Sequence, residues 1–358
     1  MDQTMFNKLI ASGVKHGASD VHFLVGQPPK YRVKGTLVPL KVDKLTPQDT
    51  LEIAQIVFQK NPTVIMKDLT EVDTSYSLPK IARFRVCIFK QRGTVGIVMR
   101  IIPSATPSIE DLNLPSIVKK IAHMERGLVL VTGVTGSGKS STLAAMIKEI
   151  NTNLNGKHII TIEDPIEFLH PHIKCSITQR EVGPDTRSFN AALRTALRQD
   201  PDIIMVGEMR DYETIDTALK AAETGHLVFS TVHTTDAAKT INRLMAVFPA
   251  EEQQVVRYRL VDSLKATISQ RLLPRADGQG RLVAAEVLIS TQRIQEYIAD
   301  VEKTGSLLDV LNEGYTLYGT QSFDLHLSKL YQAGKITLEV AQAAATSPAD
   351  FERALSFE

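Results

Sequence analysis

Residues 128–150 encode a strand, a glycine-rich turn and a helix in direct succession, an order typical of open α/β sheets. Residues 128–131 form a short apolar run of the kind found in buried parallel strands. Further along, Leu143, Ile147 and Ile150 recur at helical spacing. This segment predicts a chain built around a largely parallel sheet with helices packed against it.

The turn between this strand and helix, residues 133–140, matches the pattern G-x-x-x-x-G-K-[ST] of loops that bind nucleotide phosphates. Glycines let the backbone take positive φ angles, so several N–H groups can point at one anion, and the helix N-terminus adds partial positive charge. We expect Lys139 to reach the β- and γ-phosphates and the Ser140 hydroxyl to bind Mg²⁺. The predicted phosphate-binding residues are Gly133, Val134, Thr135, Gly136, Ser137, Gly138, Lys139, Ser140 and Ser141. The chain is therefore predicted to bind ATP or GTP.

Composition narrows the class of protein. The chain has 358 residues, of which 43% are hydrophobic and 23% charged, as expected of a soluble globular protein with two domains. The net charge of +1 argues against a surface that coats nucleic acid. The two cysteines, Cys87 and Cys175, are too few for a disulfide framework, and a reducing cytosol fits them. No apolar run is long enough to span a bilayer, so any membrane role is expected to depend on a partner.

Four parts of the chain differ in their pattern. Residues 1–103 contain short alternating segments and are predicted to form a small α+β domain with an antiparallel sheet. Pro103 and Pro107 mark a linker at 104–111. Strand–helix alternation over 112–290 predicts a largely parallel α/β domain, and residues 291–358 are predicted to be helical.

Individual elements are predicted from periodicity and turn residues. The predicted elements of the first domain are strand segments at 31–40, 82–89 and 93–102 and a helix at 46–59. The predicted strands of the second domain are 128–132, 158–162, 202–206 and 227–232. The predicted C-terminal helices are 323–333 and 338–345.

Acidic residues follow two of these strands. Hydrolysis of a nucleotide needs one carboxylate to orient water and another to hold the metal. Glu163 and Asp164 follow the strand at 158–162, and Glu208 follows a Walker-B-like apolar strand at 202–206. Ligands of open α/β sheets bind at the carboxyl ends of strands. We therefore expect Glu163 and Glu208 to be catalytic, with Glu208 also holding Mg²⁺ directly or through water; the alternative for each is a solvated carboxylate at a strand end.

Histidines occur in two notable places. His226 and His233 bracket one predicted strand, which makes them candidates for sensing the γ-phosphate or bridging subunits, with a structural role as the alternative. His170, His172 and Cys175 are suitable zinc ligands. Structural zinc sites use four ligands, so a structural role for these three residues is favoured.

Three arginines lie on predicted strands of the first domain that are otherwise apolar. Arg83 and Arg85 share one face because side chains alternate along a strand, and Arg100 lies on the next strand. They belong either to a solvated sheet face or to a set of arginine fingers that reach a γ-phosphate.

Together these motifs resemble the secretion ATPases, and within them the type IV pilus twitching-motility motors of the PilT/PilU kind. The resemblance covers nearly the whole chain. The matching segments are 17–22 (Gly-Ala-Ser-Asp-Val-His), 83–86 (Arg-Phe-Arg-Val), the phosphate loop 133–140, 161–167 (Thr-Ile-Glu-Asp-Pro-Ile-Glu), 179–183 (Gln-Arg-Glu-Val-Gly), 197–211 (the Walker B region) and 224–234 (the His box).

The resemblance implies a PAS-like first domain, a RecA-like second domain and a helical C-terminal appendage, assembled as a ring of six with ATP between the two domains. It implies that Glu163 activates water and that Glu208 is the Walker B carboxylate. The other implied site residues are Lys139 and Ser140 in the loop, His226 and His233 in the His box, and Arg85, Arg100 and Arg83 as phosphate-reaching arginines. Hydrolysis would rotate one domain against the other and drive an inner-membrane platform protein, from the cytoplasmic side, to remove pilin subunits.

Within this family, extension motors have an additional N-terminal domain and usually a four-cysteine metal loop, neither of which is seen in this chain, so retraction is expected. Retraction motors typically have Ala-Ile-Arg-Asn-Leu-Ile-Arg-Glu in the stretch that corresponds to 292–301, where this chain keeps the apolar spacing but not that pair of arginines. An accessory or nucleotide-binding paralogue of the principal motor is therefore an alternative, as is a type II secretion or pilus extension ATPase. A DNA translocase is the remaining alternative, which the near-neutral charge disfavours.

Overall fold

The computed structural model describes residues 1–59, 70–102 and 105–355. They form two compact units. The first unit contains Met1–Ala105, Glu163–Leu169 and Arg180–Ser188, and the second contains the remaining residues. Pro103 and Ser104, at the start of the predicted linker, lie outside the described residues.

The first unit contains a six-stranded antiparallel sheet with the order β3-β2-β1-β6-β5-β4. Its elements are α1 (Gln3–Lys15), β1 (Asp20–Phe23), β2 (Lys30–Val33), β3 (Thr36–Pro39), α2 (Pro47–Phe58), β4 (Glu71–Leu78), β5 (Ala82–Gln91) and β6 (Thr94–Ile102). The core lies between the two helices and the sheet, where the aromatic rings of Phe6, Phe23 and Tyr76 pack together. The predicted helix at 46–59 is confirmed, and Thr46 and Asp49 form a capping box at its start.

The predicted strand segment at 31–40 is a hairpin rather than one strand. Lys34 and Gly35 both have positive φ angles, 48° and 83°, and they separate β2 from β3. A two-residue turn with positive φ at both positions matches the twist of the strands that it joins. Lysine is an uncommon residue for this conformation, which is why the turn was not predicted.

The second unit is built on a seven-stranded sheet with the order β13-β12-β7-β11-β10-β8-β9. Its strands are β7 (Gly127–Thr132), β8 (His158–Glu163), β9 (Ser176–Glu181), β10 (Ile203–Val206), β11 (Leu227–Val232), β12 (Leu264–Pro274) and β13 (Arg281–Ile289). The helices are α3 (Ile117–Ala122), α4 (Lys139–Asn153), α5 (Phe189–Ala196), α6 (Tyr212–Glu223), α7 (Ala237–Met245) and α8 (Gln253–Ser263). Strands β12, β7, β11, β10 and β8 pair in parallel, and β13 pairs antiparallel with β12. The four predicted strands and the α/β class with a parallel core are therefore confirmed.

Short helices follow the sheet, as the helical pattern after residue 290 predicts. They are α9 (Gln292–Ala299), α10 (Leu307–Glu313), α11 (Tyr315–Tyr318), α12 (Phe323–Gln332), α13 (Leu338–Ala344) and α14 (Pro348–Leu355), with a 3₁₀ turn at Thr304–Ser306. Phe323 and Leu327 of α12 pack on Leu282 and Ala284 of β13. The guanidinium of Arg271 lies 3.8 Å from the centre of the Phe323 ring, so this packing has a cation–π component.

In the part of the chain that the structure describes, no helix is both long and apolar enough to cross a membrane.

The buried carboxyl group of Glu286 links strands β12 and β13 to the N-terminus of helix α7. Glu286 of β13 is 4% exposed, and its Oε1 accepts hydrogen bonds from the Ala237 amide at 2.8 Å and the Ser269 hydroxyl at 3.2 Å. The amide belongs to the first residue of α7, so the carboxyl group satisfies a donor that has no partner within the helix. Burial, reinforced by the nearby charge of Asp236, raises the pKa of Glu286 from 4.5 to about 7.

This shift predicts a stability that falls as pH rises. Folded Glu286 keeps its proton up to about pH 7, whereas the unfolded chain loses it near 4.5, so the contribution is full below 4.5 and lost as pH passes through 7. The loss is on the order of 3 kcal/mol. Glu286→Gln should flatten this slope, because the amide cannot ionise and its oxygen can still accept both hydrogen bonds. Urea unfolding from about pH 5 to about pH 8 measures the slope. The exposed Glu339→Gln is the control, and equal slopes in Glu286→Gln and the unsubstituted protein would contradict the prediction.

Candidate nucleotide-binding site

The phosphate loop joins the end of β7 to the start of α4 through three glycines with positive φ angles. These angles are 144° at Gly133, 80° at Gly136 and 94° at Gly138, and Gly138 is the N-cap of α4. Other residues rarely adopt such angles, and here they let the backbone turn around a small concave space at a helix N-terminus. The local structure therefore has the form that an anion-binding loop requires.

Lys139 is the first residue of α4, and its side chain is 8% exposed. Its Nζ donates hydrogen bonds to the carbonyl oxygens of Gly133 at 2.9 Å and Val134 at 3.1 Å. The ammonium group thus lies inside the loop of which it is a part. A positive charge at this position, next to a helix N-terminus, favours a bound phosphate.

Polar side chains are buried around this loop. The hydroxyls of Thr132 and Ser137 and Oε1 of Gln270 are buried and have no hydrogen-bond partner within the ranges that the structure describes. Nε2 of Gln270 on β12 donates a hydrogen bond to Oγ1 of Thr142 on α4 at 2.6 Å, and this bond links the strand to the helix that follows the loop. Unsatisfied buried polar atoms cost about 1–3 kcal/mol each, and their concentration here marks a polar site. Gln270 was not predicted, because it lies 128 residues from its partner and no local motif contains it.

Gly133→Ala is expected to distort the loop. A Cβ at this position would lie 2.4 Å from Ser137 Oγ and 2.7 Å from the Gln270 carbonyl oxygen, and the φ of 144° adds backbone strain. We expect a loss of at least about 2 kcal/mol of stability and of most nucleotide affinity. Thermal unfolding and the fluorescence of a labelled ATP analogue measure the two effects. Gly136→Ala is the matched control, since it has a positive φ of 80° but nothing within 4 Å of the added Cβ. An equal loss in both variants would show that strain, rather than the clash, dominates.

Glu208 and His233 meet at the carboxyl edge of the sheet. Glu208 comes two residues after β10, and His233 directly follows the adjacent parallel strand β11. Glu208 Oε2 lies 2.6 Å from Arg210 Nε and 3.3 Å from His233 Nε2. Burial and the positive charge of Lys139 lower the pKa of His233, with Glu208 acting in the opposite direction. Lys139, Glu208 and Arg210 thus all act electrostatically on His233, and of these three Arg210 was not predicted.

His226 occupies the opposite edge. It precedes β11, and its carbonyl oxygen accepts from the amide of Gly127, the first residue of β7. The phosphate loop follows the other end of β7, about 20 Å along the strand. His226 Nδ1 lies 2.9 Å from the Ala221 carbonyl oxygen at the end of α6. The structure therefore brings His233, and not His226, to the edge that contains the phosphate loop; a role for His226 in the reaction stays a prediction.

Ser140 and Glu208 fit the chemistry of Mg²⁺. Ser140 is half-buried in the first turn of α4, and hydroxyl and carboxylate oxygens are the hard ligands that this ion prefers. Among the described residues, no three His, Cys, Asp or Glu side chains are grouped so that they could hold a metal. Nucleotide-bound Mg²⁺ needs no such group, because it takes one or two protein ligands and completes its shell with phosphates and water.

The residues weighed as zinc ligands have other contacts. Cys175 Sγ lies 3.4 Å from the Leu154 carbonyl oxygen, and His172 Nδ1 accepts a hydrogen bond from the Ile177 amide at 3.0 Å. Burial lowers the pKa of His170 to about 4. Cys175 and His172 therefore contact backbone groups and His170 is partly buried, which fits the structural role favoured for these residues from the sequence.

Glu163 belongs to the first compact unit, although it is the last residue of β8. Its side chain is 7% exposed, and its Oε2 accepts from the Glu167 amide at 3.4 Å. Its carbonyl oxygen accepts from the Val182 amide at 2.9 Å, so the segment at 163–169 is joined to the segment at 180–188. A buried carboxylate is thus held at the end of a strand, as the sequence predicts.

The three arginines of the first unit differ in their partners. Arg83 donates to Glu181 at 2.6 Å, whereas Arg85 lies 3.6 Å from Asp73 and Arg100 lies 3.1 Å from Asp20. Arg85 and Arg100 face each other across β5 and β6, and the alternation of burial along β5 confirms that Arg83 and Arg85 share a face.

Glu181 was not assigned a role from the sequence. It is 1% exposed, and besides Arg83 it accepts from the Ile166 amide at 3.0 Å. Its position within a family motif was the only signal for it. The ion pair with Glu181 distinguishes Arg83 from the two more exposed arginines.

Comparisons with known proteins identify relatives of this chain. Residues 2–313 match the family model described as type II/IV secretion system protein. The chain is 45% identical over 344 residues to the type IV pilus retraction ATPase PilT of Pseudomonas aeruginosa, an alignment that covers 96% of this chain and 99% of that protein. It is 43% identical to the type IV pilus ATPase PilU of the same organism, covering 96% of this chain and 90% of the relative.

A solved structure shares the fold. The pilus retraction motor PilT with bound ADP superposes with a TM-score of 0.88 at 44% identity, covering 97% of this chain and 98% of that one. Together with the phosphate loop, these matches identify a nucleotide-binding enzyme. The chain belongs to the type II/IV secretion system protein family and is an ATPase.

Proposed function

We propose that this chain hydrolyses Mg²⁺-ATP as the hexameric motor of type IV pilus retraction, which produces twitching motility. The observation that supports this most is the combination of a formed phosphate loop around Lys139 with 45% identity to a retraction ATPase over 96% of the chain. A relative of the same kind has been solved with bound ADP. ATP as the substrate, Mg²⁺ as the metal and retraction as the direction of the motor are all parts of this proposal.

Each site residue has a proposed part in the reaction. The loop amides of residues 133–141 and the ammonium of Lys139 bind and orient the phosphates. Ser140 and Glu208 hold Mg²⁺, which supplies positive charge against the phosphate oxygens. Glu163 accepts a proton from the attacking water. Stabilisation of the charge that develops on the phosphates comes from Arg83, Arg85, Arg100 and His233, whereas His226, at the opposite edge of the sheet, is proposed to bridge subunits.

The proposed assembly is a homohexamer on the cytoplasmic side of the inner membrane, acting on a platform protein of the pilus machine. In it, residues 1–103 form a PAS-like domain, 104–111 a linker, 112–290 a RecA-like ATPase domain and 291–358 a helical appendage. The domains rotate against each other during hydrolysis. The names of the relatives support a pilus motor, and a paralogous pilus ATPase is a further proposed partner.

A second candidate function is an accessory ATPase that modulates the principal motor. The similarity to PilU, at 43% identity, favours it, and so does the stretch 292–301, which lacks the pair of arginines typical of retraction motors and has Arg293 as its one arginine. The extension and secretion ATPases match less of the chain, and the alignment with the assembly ATPase PilB of Acinetobacter baylyi is 34% identical over 76% of it. A DNA translocase has no supporting observation beyond the RecA-like class.

Deletion of the gene tests the direction of the motor. Cells that lack a retraction motor should be hyperpiliated and unable to twitch, since filaments are still built but not withdrawn. Bald cells would instead indicate extension, and piliated cells with weakened twitching would indicate the accessory role. Complementation with the intact gene is the control. DNA-stimulated, salt-sensitive hydrolysis by the purified protein would revive the translocase alternative.

A further inference from the structure

A cavity of about 510 Å³ opens between α9 and the pair α10–α11. This size lies within the range of sites that hold small ligands or single side chains of a partner. Its walls include two tyrosines, Tyr297 and Tyr318, and two glutamates, Glu296 and Glu313. It lies within the second unit, and none of the roles proposed for the ATPase reaction uses its residues.

The charge of this region is negative, although the whole chain has a net charge of +1. Residues 291–320 contain five acidic and two basic side chains. Both basic side chains are already paired, Arg293 with Glu313 and Lys303 with Asp300. Arg293, the cation of the cavity wall, interacts with the Tyr297 hydroxyl and is paired with Glu313, so the carboxylate that the wall offers to a ligand is that of Glu296.

The aromatic residues favour the same kind of ligand. A tyrosine ring attracts a cation placed over its face, and a carboxylate nearby adds a charge-assisted hydrogen bond. Within the same fold this chemistry already occurs at Lys329, whose Nζ lies 3.3 Å from the centre of the Tyr315 ring. Tyr297, Tyr318 and Glu296 all line the cavity, so a guanidinium or ammonium group suits its chemistry.

Exposed apolar side chains on α11, one of the helices that form the cavity, extend this preference beyond a single charged group. Tyr318 is 48% exposed, and its neighbour Leu317 is 76% exposed, so α11 presents apolar side chains to solvent. A free small cation would leave this surface uncovered. A peptide with an apolar residue next to its arginine or lysine would cover it, and the buried apolar area would add to the affinity.

We propose that this cavity, lined by Glu296, Tyr297 and Tyr318, is a docking site for a basic peptide segment of a partner protein. The segment inserts one arginine or lysine between the tyrosines and Glu296 and packs an adjacent apolar residue on Leu317. This binding does not depend on ATP hydrolysis, so the docking site and the motor function can fail separately.

Fluorescence anisotropy of the full-length protein tests the proposal with two labelled probes. One probe is a five-residue peptide with arginine between two leucines and a glycine at each end, and the other has citrulline, the neutral isostere, in place of arginine. The arginine probe should bind at least about fivefold more tightly, and raising the salt concentration should reduce that preference. Equal binding of the two probes, or no binding of either, would overturn the proposal.

Substitutions then locate the site. Glu296→Gln should abolish the preference for the arginine probe over the citrulline probe, and Tyr318→Ala should weaken the binding of both probes. Glu302→Gln is the matched control, because it removes an acidic side chain of the same segment that is not part of the cavity wall. It should change neither probe's affinity, and ATP turnover should be unchanged in all three variants. An effect of Glu302→Gln as large as that of Glu296→Gln would show that only the general negative charge attracts the probe, which contradicts a site.

Discussion

Lys139→Ala is expected to lower ATP turnover by at least about 10²-fold, since the substitution removes a charge that stabilises the phosphates during transfer. The ammonium lies within hydrogen-bonding distance of two carbonyl oxygens of the loop, so its charge is concentrated where phosphates would bind. Alanine is a good helix former, and α4 should therefore keep its first turn. Phosphate release at saturating Mg²⁺-ATP measures the effect.

The matched control lies in the same helix. Lys148 donates from its Nζ to the Thr106 carbonyl oxygen at 2.7 Å, far along α4 from the loop. Lys148→Ala removes the same charge from the same helix and should leave turnover within about twofold of the unsubstituted protein. If Lys139→Ala retained more than about a tenth of the turnover, the loop would not be the site of the reaction.

Glu163→Gln is expected to lower the rate of hydrolysis by about 10²–10⁴-fold while ATP still binds. Glutamine has the size of glutamate and can accept the hydrogen bond from the Glu167 amide, but it cannot take a proton from water. Binding and hydrolysis should therefore separate in this variant, unlike in Lys139→Ala. Single-turnover hydrolysis and the fluorescence of a labelled ATP analogue measure the two steps.

Glu167→Gln provides the comparison for this variant. Glu167 is an exposed carboxylate four residues away in the same segment, and its loss should not change the rate. Unimpaired hydrolysis by Glu163→Gln would refute the assignment of Glu163 as the base and leave Glu208 as the acidic residue to be tested next.

Hydrogen bonds between residues that are far apart in the chain were not predicted from the sequence. Arg83 was recognised as unusual on an apolar strand, but its partner Glu181 is 98 residues away. Gln270 and Thr142 are 128 residues apart, and Glu286 and Ala237 are 49 apart. No periodicity or motif relates such positions, because their contact depends on the order of strands in the sheet and not on neighbours in the chain.

The sequence also could not distinguish the roles of the two histidines on either side of β11. In the sequence His226 and His233 look equivalent, since each adjoins the same apolar run. Only the parallel pairing of β11 with β7 shows that the loop follows the end at which His233 lies. The direction of a strand within its sheet is a property of the chain path, which the local pattern does not contain.

The amino-acid sequence by itself determined the phosphate loop, the strands of the parallel core and the helix α2 that Thr46 caps. These features depend on residues within a few positions of one another, through periodicity, backbone freedom at glycine and capping. Only the tertiary structure decided the order of the strands, the partners of Arg83 and Glu286, and the cavity beside α11. Those features require side chains from distant segments to share one volume, and packing of the whole unit selects them.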